Sequence, residues 1–185
     1  MAAAFSPRLA PGFWRSGAYN RAVSDLLLPA SATRVQAALD SAGVQTRVVE
    51  MPESTRTAAD AAKAVGCEIG QIAKSLVFRG LSSGDAILVI TSGANRVDEG
   101  LVAQAAGERI EKASAGFAKE QSGFAIGGVP PVGHTTRMRT FIDQDLLGYD
   151  LIWAAAGTPH AVFQFSAFEL PRMTGGTVIA VTQRK

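Results

Sequence analysis

Lys74 is the residue best placed to bring a charge into an apolar setting. It opens the run Ser75-Leu76-Val77-Phe78 and follows Ile72-Ala73, so its stem should be partly buried. A lysine there either snorkels to water or aims its ammonium at a phosphate or carboxylate. A second candidate is the loop Gly127-Gly128-Val129-Pro130-Pro131-Val132-Gly133-His134. Two adjacent glycines leave main-chain N–H groups open to close approach, and two prolines stiffen the rest of the loop. Such a loop suits a carbonyl or an anion; a tight corner between strands would use the same residues. A third is Ala155-Ala156-Gly157-Thr158-Pro159-His160, set between two apolar runs and holding one of the two histidines. A histidine at a strand boundary can line a pocket or serve the fold.

Other chemistries lack their residues. No P-loop, dinucleotide fingerprint, H-E-x-x-H or nucleophile elbow is present. Asp98-Glu99 and Asp143 with Asp145 read as acids near helix starts, where they complement the dipole. Cys67, just past Gly66, is a small hydrophobe or, in a third reading, a thiol nucleophile. A single cysteine forms no intrachain disulfide and points to a reducing, cytoplasmic setting. One Cys and two His make a poor zinc set, so neither metal nor cofactor is expected. A net charge of +2 is too small to announce nucleic acid. RNA contact must come from local arrangement: Arg137 and Arg139 directly after the glycine loop, Arg79, and further off Lys112 and Lys119.

These candidates need a core to hold them. The chain has 185 residues, 47% hydrophobic and only 18% charged, which excludes disorder, coiled coil and collagen as whole-chain readings. The longest apolar runs, such as Leu151–Ala156, fall far short of the ~20 residues of a membrane span. Residues 1–30 read as an N-terminal extension, with Arg8, Arg15 and Arg21 and no acid before Asp25. That stretch could be plain extension, organellar leader or a docking segment; it lacks a secretory h-region. Residues 31–185 form the domain.

Within the domain, Ser31 or Thr33 should cap a helix ending at Gly43, and Val44–Met51 should be a strand. Thr57 should cap a helix over Ala58–Val65, stopped by Gly66. A helical turn is expected over Ile69–Ala73, then a hairpin of Ser75–Phe78 and Ala86–Thr91. Next come a helix from Asn95 or Asp98 to Ala106, a strand at Arg109–Lys112 and a helix over Ala115–Gln121. Strands are expected at Phe124–Ile126, Met138–Ile142, Leu151–Ala155, Val162–Phe165 and Thr177–Val181, with a helix capped by Ser166 before the last. Strict β–α alternation is absent. The expected fold is mixed α+β: an open, strongly bent β-barrel of about seven strands with flanking short helices.

Taken together, Ala73-Lys74-Ser75-Leu76-Val77-Phe78, the run Gln121-Ser122-Gly123-Phe124-Ala125-Ile126-Gly127-Gly128-Val129-Pro130-Pro131-Val132-Gly133 and the later Ala-Gly loop resemble the YbaK/ProX family. That family is the editing domain related to the insertion domain of bacterial prolyl-tRNA synthetases. The order and spacing match from about Ser31 to the C-terminus. The resemblance implies hydrolysis of mischarged aminoacyl-tRNA in trans, without a dedicated protein nucleophile. It implies that Lys74 lines the pocket and holds the substrate's 3′ end, and that Gly127 and Gly128 serve catalysis. Ser75, Val129, Pro130, Gly133, His134, Gly157 and His160 are then substrate-binding candidates, with Arg79, Arg137 and Arg139 meeting the tRNA.

The late loop departs from the family's branches. Ala155-Ala156-Gly157 stands where the Cys-removing branch has Ser-x-Gly, Pro159 where it has a basic residue, and no acid occurs from Leu151 to Phe168. The Ala-specific branch has His before Pro, whereas Pro159-His160 is reversed here. A loop of alanines and glycine should favour a small amino acid such as Ala on tRNA-Pro. The expected partners are mischarged tRNA through its 3′ acceptor end and a prolyl-tRNA synthetase, with no membrane, as monomer or homodimer. The alternative from another class is a non-catalytic module binding a tRNA acceptor end, a nucleotide or a synthetase partner.

Overall fold

The computed structural model describes residues 28–182. The expected extension, up to its last three residues, lies outside the described residues. Helix α1 (Ala30–Ser41) starts before either expected cap. Pro29, at φ −56°, sits at its N-terminus, and no side chain caps it. Thr33 instead donates its hydroxyl back to the Leu28 and Pro29 carbonyls. Ala32, Val35, Gln36 and Leu39 form its buried face. Gln36 explains why Val44–Met51 is not one strand. Its side chain donates to the Thr46 carbonyl and accepts from the Val48 N–H. Those groups are thereby withdrawn from any ladder, and only β1 (Val49–Glu50) pairs.

Helix α2 (Ala58–Val65) is capped by Thr57, which accepts from the Asp60 N–H, and stops at Gly66. A 3₁₀ turn (Ile69–Gln71) leads into β2 (Ile72–Gly80), which hairpins into β3 (Ala86–Ser92). Asp98 caps α3 (Glu99–Ala106); β4 (Ile110–Lys112) and α4 (Ala115–Ser122), capped by Ser114, come after it. The expected strand at Phe124–Ile126 is absent. The buried Ser122 hydroxyl takes the Phe124 N–H, and the chain turns there instead. After β5 (Arg139–Asp143), β6 (Leu151–Ala155) and β7 (Ala161–Ser166) come α5 (Glu169–Thr174) and β8 (Thr177–Ile179). The N-cap position of α5 is Phe168, not Ser166, and no side chain caps the helix.

The eight described strands make one mixed sheet in the order β1-β7-β6-β2-β3-β5-β8, with β4 also on β2. The β2–β6, β3–β5 and β5–β8 pairs are parallel and the rest antiparallel. β1 and β8 stand at opposite ends, so the sheet is open rather than closed. The main core, with Val35, Leu39, Leu88, Ile90, Phe163 and Phe165, packs α1 on the sheet. Two smaller clusters sit under α3 (Phe78, Ile87, Val102, Phe141) and α2 (Ile72, Trp153, Val162, Ala61).

Asp143, fully buried at the end of β5, ties the middle strands together. Its carboxylate accepts from the Thr91 hydroxyl (3.0 Å), the Ser92 N–H (3.0 Å), the Asn95 amide (2.8 Å) and the Asp145 N–H (3.1 Å). Stranding several buried donors at once is among the few routes to a large loss of stability. Asp143→Ala is expected to destabilise the protein by on the order of 3 kcal/mol or more, read as a shift in the urea midpoint.

Candidate active site

The two partners on the outer edge of β2 create the site. β6 pairs with it only at Ile72 and Ala73, and β4 only from Phe78 to Gly80. Between them the sheet forks, and a cleft of about 550 Å³ opens there. Ile72–Phe78 form its floor. Its walls come from Thr55–Ala58, Ala61 and Val65 around α2, from Trp153, Ala154 and Ala155 on β6, from Lys112, Ala113 and Ala118, and from Ile126, Gly127 and Val129. Alanines recur on three of these four walls, where each side chain ends at a methyl group.

Lys74 lies inside β2 rather than at its mouth, and it lines the cleft. Its ammonium donates to the Asn95 carbonyl at 2.8 Å and, more loosely, to the Gly93 carbonyl at 3.4 Å. Burial pushes its pKa below the ordinary lysine value, and the charge of Asp143 opposes that shift. The ammonium is thus half-buried and anchored through Asn95 to the Asp143 network. Ser75 also lines the cleft, and its buried hydroxyl has no partner among the described residues.

The glycine loop divides. Gly127 and Val129 face the cleft, with the Arg56 side chain lying over Gly127. Gly128 does not offer the open amide that its sequence suggested. Its N–H bonds the Ala125 carbonyl and its carbonyl accepts from the Gly157 N–H at 2.9 Å. A Cβ on Gly128 would stand 3.0 Å from the main chain of Thr158. Gly157, at φ +90°, packs equally tightly: a Cβ there would stand 2.9 Å from the Phe124 ring and the Ser31 carbonyl. These two glycines let two loops touch.

Pro130, Gly133, His134 and His160 are outside the cleft walls. His134 donates Nε2–H to the Pro130 carbonyl at 2.8 Å, holding its own loop. Burial keeps its imidazole below the usual histidine range; the Pro130 bond opposes this and Arg34 adds to it. The side chain of His160 is exposed, while its main chain bonds Met51 and Thr158.

The arginines are dispersed. Arg79 stacks over Phe117 on α4 at 5.4 Å, beside the cleft wall at Ala118. Arg139 donates to the Ala105 and Ala106 carbonyls and so caps α3. Arg137 is exposed and, with Arg139, borders a separate hollow near β8. Cys67 is not a cleft residue, and burial, with Glu68 beside it, pushes its thiol pKa up, away from a reactive thiolate.

Sequence reasoning missed Arg56 and Trp153. Arg56 precedes a helix cap in a polar stretch without period, and Trp153 reads as core because its strand is apolar throughout. Among the described residues no three His, Cys, Asp or Glu side chains converge on a metal position. Likewise, no described helix is long and apolar enough to cross a membrane.

Fold and cleft together define a small mixed α/β domain with one deep binding cleft at a split in its sheet. Over residues 52–173 the chain matches the family model of the aminoacyl-tRNA editing domain, and it belongs to that family. The crystal structure of a proposed trans-editing enzyme for prolyl-tRNA synthetase is similar, at 49% identity and a TM-score of 0.80, covering 85% of this chain and 99% of that one. Hypothetical protein APE2540 is 29% identical with a TM-score of 0.76, over 81% and 99% of the two chains. The uncharacterized protein YwhH of Bacillus subtilis (strain 168) is 32% identical over 124 residues, 66% of this chain and 78% of YwhH. The YbaK-like family and its fold, expected from the lysine and glycine runs, are thereby established, and with them a role in aminoacyl-tRNA editing.

Two variants separate wall from working group. Gly128→Val should force the two loops apart and cost about 1–3 kcal/mol, visible as a lower urea midpoint. Lys74→Met should leave stability within ~1 kcal/mol of wild type, because relief of a half-buried charge opposes the loss of two carbonyl contacts. The rate of any deacylation in the cleft should nonetheless fall roughly ten- to a hundredfold in that variant. Because the folded pKa of Lys74 is lowered, the wild-type rate should decline on the alkaline side before the ordinary lysine value of 10.5. The Met variant should show no such decline, once uncatalysed hydrolysis is subtracted.

Proposed function

We propose that residues 31–185 hydrolyse the ester of mischarged tRNA in trans, removing a small amino acid such as alanine from tRNA-Pro in the cytoplasm. The observation that carries this reading is the cleft itself: one ammonium on a strand segment between two ladders, lined by alanines from α2, β2, α4 and β6. An aminoacyl ester is already activated, so hydrolysis needs orientation and donors for the developing oxyanion more than a strong nucleophile. Water adds to the carbonyl carbon, the bond to the ribose oxygen breaks, and the water's proton ends on that oxygen. Lys74 meets the 3′-terminal nucleotide, Gly127 and Val129 shape the aminoacyl end, and Arg56 and Lys112 at the cleft meet backbone phosphate. The similar structure described as a trans-editing enzyme for prolyl-tRNA synthetase supports prolyl-tRNA synthetase as the partner whose errors are cleared.

Discrimination by one or two methylenes is limited to ~1–3 kcal/mol, so activity should spill onto Ser and Cys. Single-turnover assays on Ala-, Ser-, Cys- and Pro-charged tRNA-Pro should give fastest release for Ala and slowest for Pro. Faster release of Pro than Ala would sink the small-residue reading. Binding of all four without release would establish the non-catalytic module instead.

A further inference from the structure

The bare stretch of β2 has a defined polarity. The Gly80 N–H bonds the Asp85 carbonyl, and the Ile72 carbonyl accepts from the Gly93 N–H. Even-numbered residues of β2 therefore turn their main-chain groups toward β3, and odd-numbered ones toward the fork. Ala73 is taken by β6, where the ladder ends at Ala73↔Ala154. Arg79 is taken by β4, and the Val77 carbonyl by the Ala113 N–H. Ser75 lies between these pairings. Neither the β6 nor the β4 register includes it, no loop hydrogen bond reaches its main chain, and its buried hydroxyl has no partner among the described residues. A central strand seldom leaves one residue outside both ladders of an edge with its hydroxyl also unbonded, and this residue lines the cleft.

We propose that the aminoacyl group of the substrate pairs with Ser75 as one residue of an antiparallel strand would. Its ammonium donates to the Ser75 carbonyl, and its ester carbonyl accepts from the Ser75 N–H. An amino-acid ester carries donor and acceptor at the same N–Cα–C spacing as a strand residue, so one residue can exchange both bonds. The Ser75 N–H then stands on the oxygen that becomes the oxyanion, a task the Gly128 N–H cannot perform while bonded to Ala125. Directly opposed residues project side chains to the same face. The substrate side chain thus falls on the face of Ala73, Ser75 and Val77, beside the unpartnered hydroxyl. This inference rests on the proposed deacylase function and adds to it the group that recognises the amino acid.

The test compares Ser75→Ala, which keeps the N–H, with Ser75→Pro, which removes it. Proline is tolerated where an edge N–H has no ladder partner, and Lys74 before it is already extended. Ser75→Ala lacks only the hydroxyl and sets the reference turnover for a protein that keeps the N–H. Ser75→Pro should lose on the order of a hundredfold in kcat with little change in melting temperature. Should the proline variant fail to fold, an amide-to-ester replacement at position 75 removes the same N–H alone and should give the same loss. Equal turnover by the alanine variant and the N–H-deleted protein overturns the pairing while leaving deacylation standing. A wild-type protein that releases no amino acid from any of the four charged tRNAs overturns the function and the pairing together.

Discussion

Everything at the site depends on β2 having two neighbours on one edge that cannot meet. β6 runs parallel to it and β4 antiparallel, so the two ladders advance from opposite ends. β6 leaves the edge because Ala156 turns its N–H to Ala161, beginning the hairpin with β7. β4 is only three residues long and stops at Lys112, after which Ser114 caps α4. Neither strand can extend into the gap without breaking its own turn or cap. The opening is therefore fixed by local hydrogen bonding on both sides, and needs no moving lid to form.

A gap in a sheet invites collapse, and the opposite edge of β2 resists it. Seven consecutive register pairs join β2 to β3, from Ala73↔Ser92 to Arg79↔Ala86. Behind β3, parallel β5 brings Asp143 against Thr91 and Ser92, and Asn95 links that carboxylate to the Lys74 ammonium. The same buried anion thus braces the strand that carries the site and lies near the cation beside the cleft. Stability and site electrostatics are coupled there, which is why a change at Asp143 reaches Lys74 without touching it.

Much of this was legible because local rules and tertiary packing agree. Thr57, Asp98 and Ser114 cap helices and Gly66, Gly107 and Gly123 stop them, as side-chain chemistry and positive φ demand. The hairpin around Leu81–Asp85 and the apolar strands obeyed the same logic. What escaped was long-range competition for main-chain groups. Gln36 withdraws the Thr46 and Val48 groups from a strand, and Ser122 withdraws Phe124. Gly128 looked like an open amide because glycine permits close approach, but the approaching group is Thr158 of the same chain. Arg139 looked like an RNA contact because it comes just after the glycine loop, yet it caps a helix 34 positions back. Lys74 stood out early because a lysine beside an apolar strand has few uses besides snorkelling, while Ser75 entered only through the family resemblance.

The walls set what the cleft can measure. Ala58, Ala61, Ala73, Ala113, Ala118, Ala154 and Ala155 present methyl groups fixed directly to backbone, with no rotamer to adjust. Such a surface gauges volume rather than polarity, since it rejects by overlap and gains little from a missing methylene. Main-chain pairing at Ser75 is blind to the side chain, because every amino-acid ester carries the same ammonium and carbonyl. In the proposed function the two would divide the labour: the strand edge would recognise that an amino acid is attached, and the alanine walls would ask only whether it is small. Proline can make the same main-chain contacts, since its secondary ammonium still has two N–H donors. Under the proposed function its exclusion would therefore come from the walls, and from Val129 in particular, the stiffest cleft residue beside the Pro130-Pro131 pair.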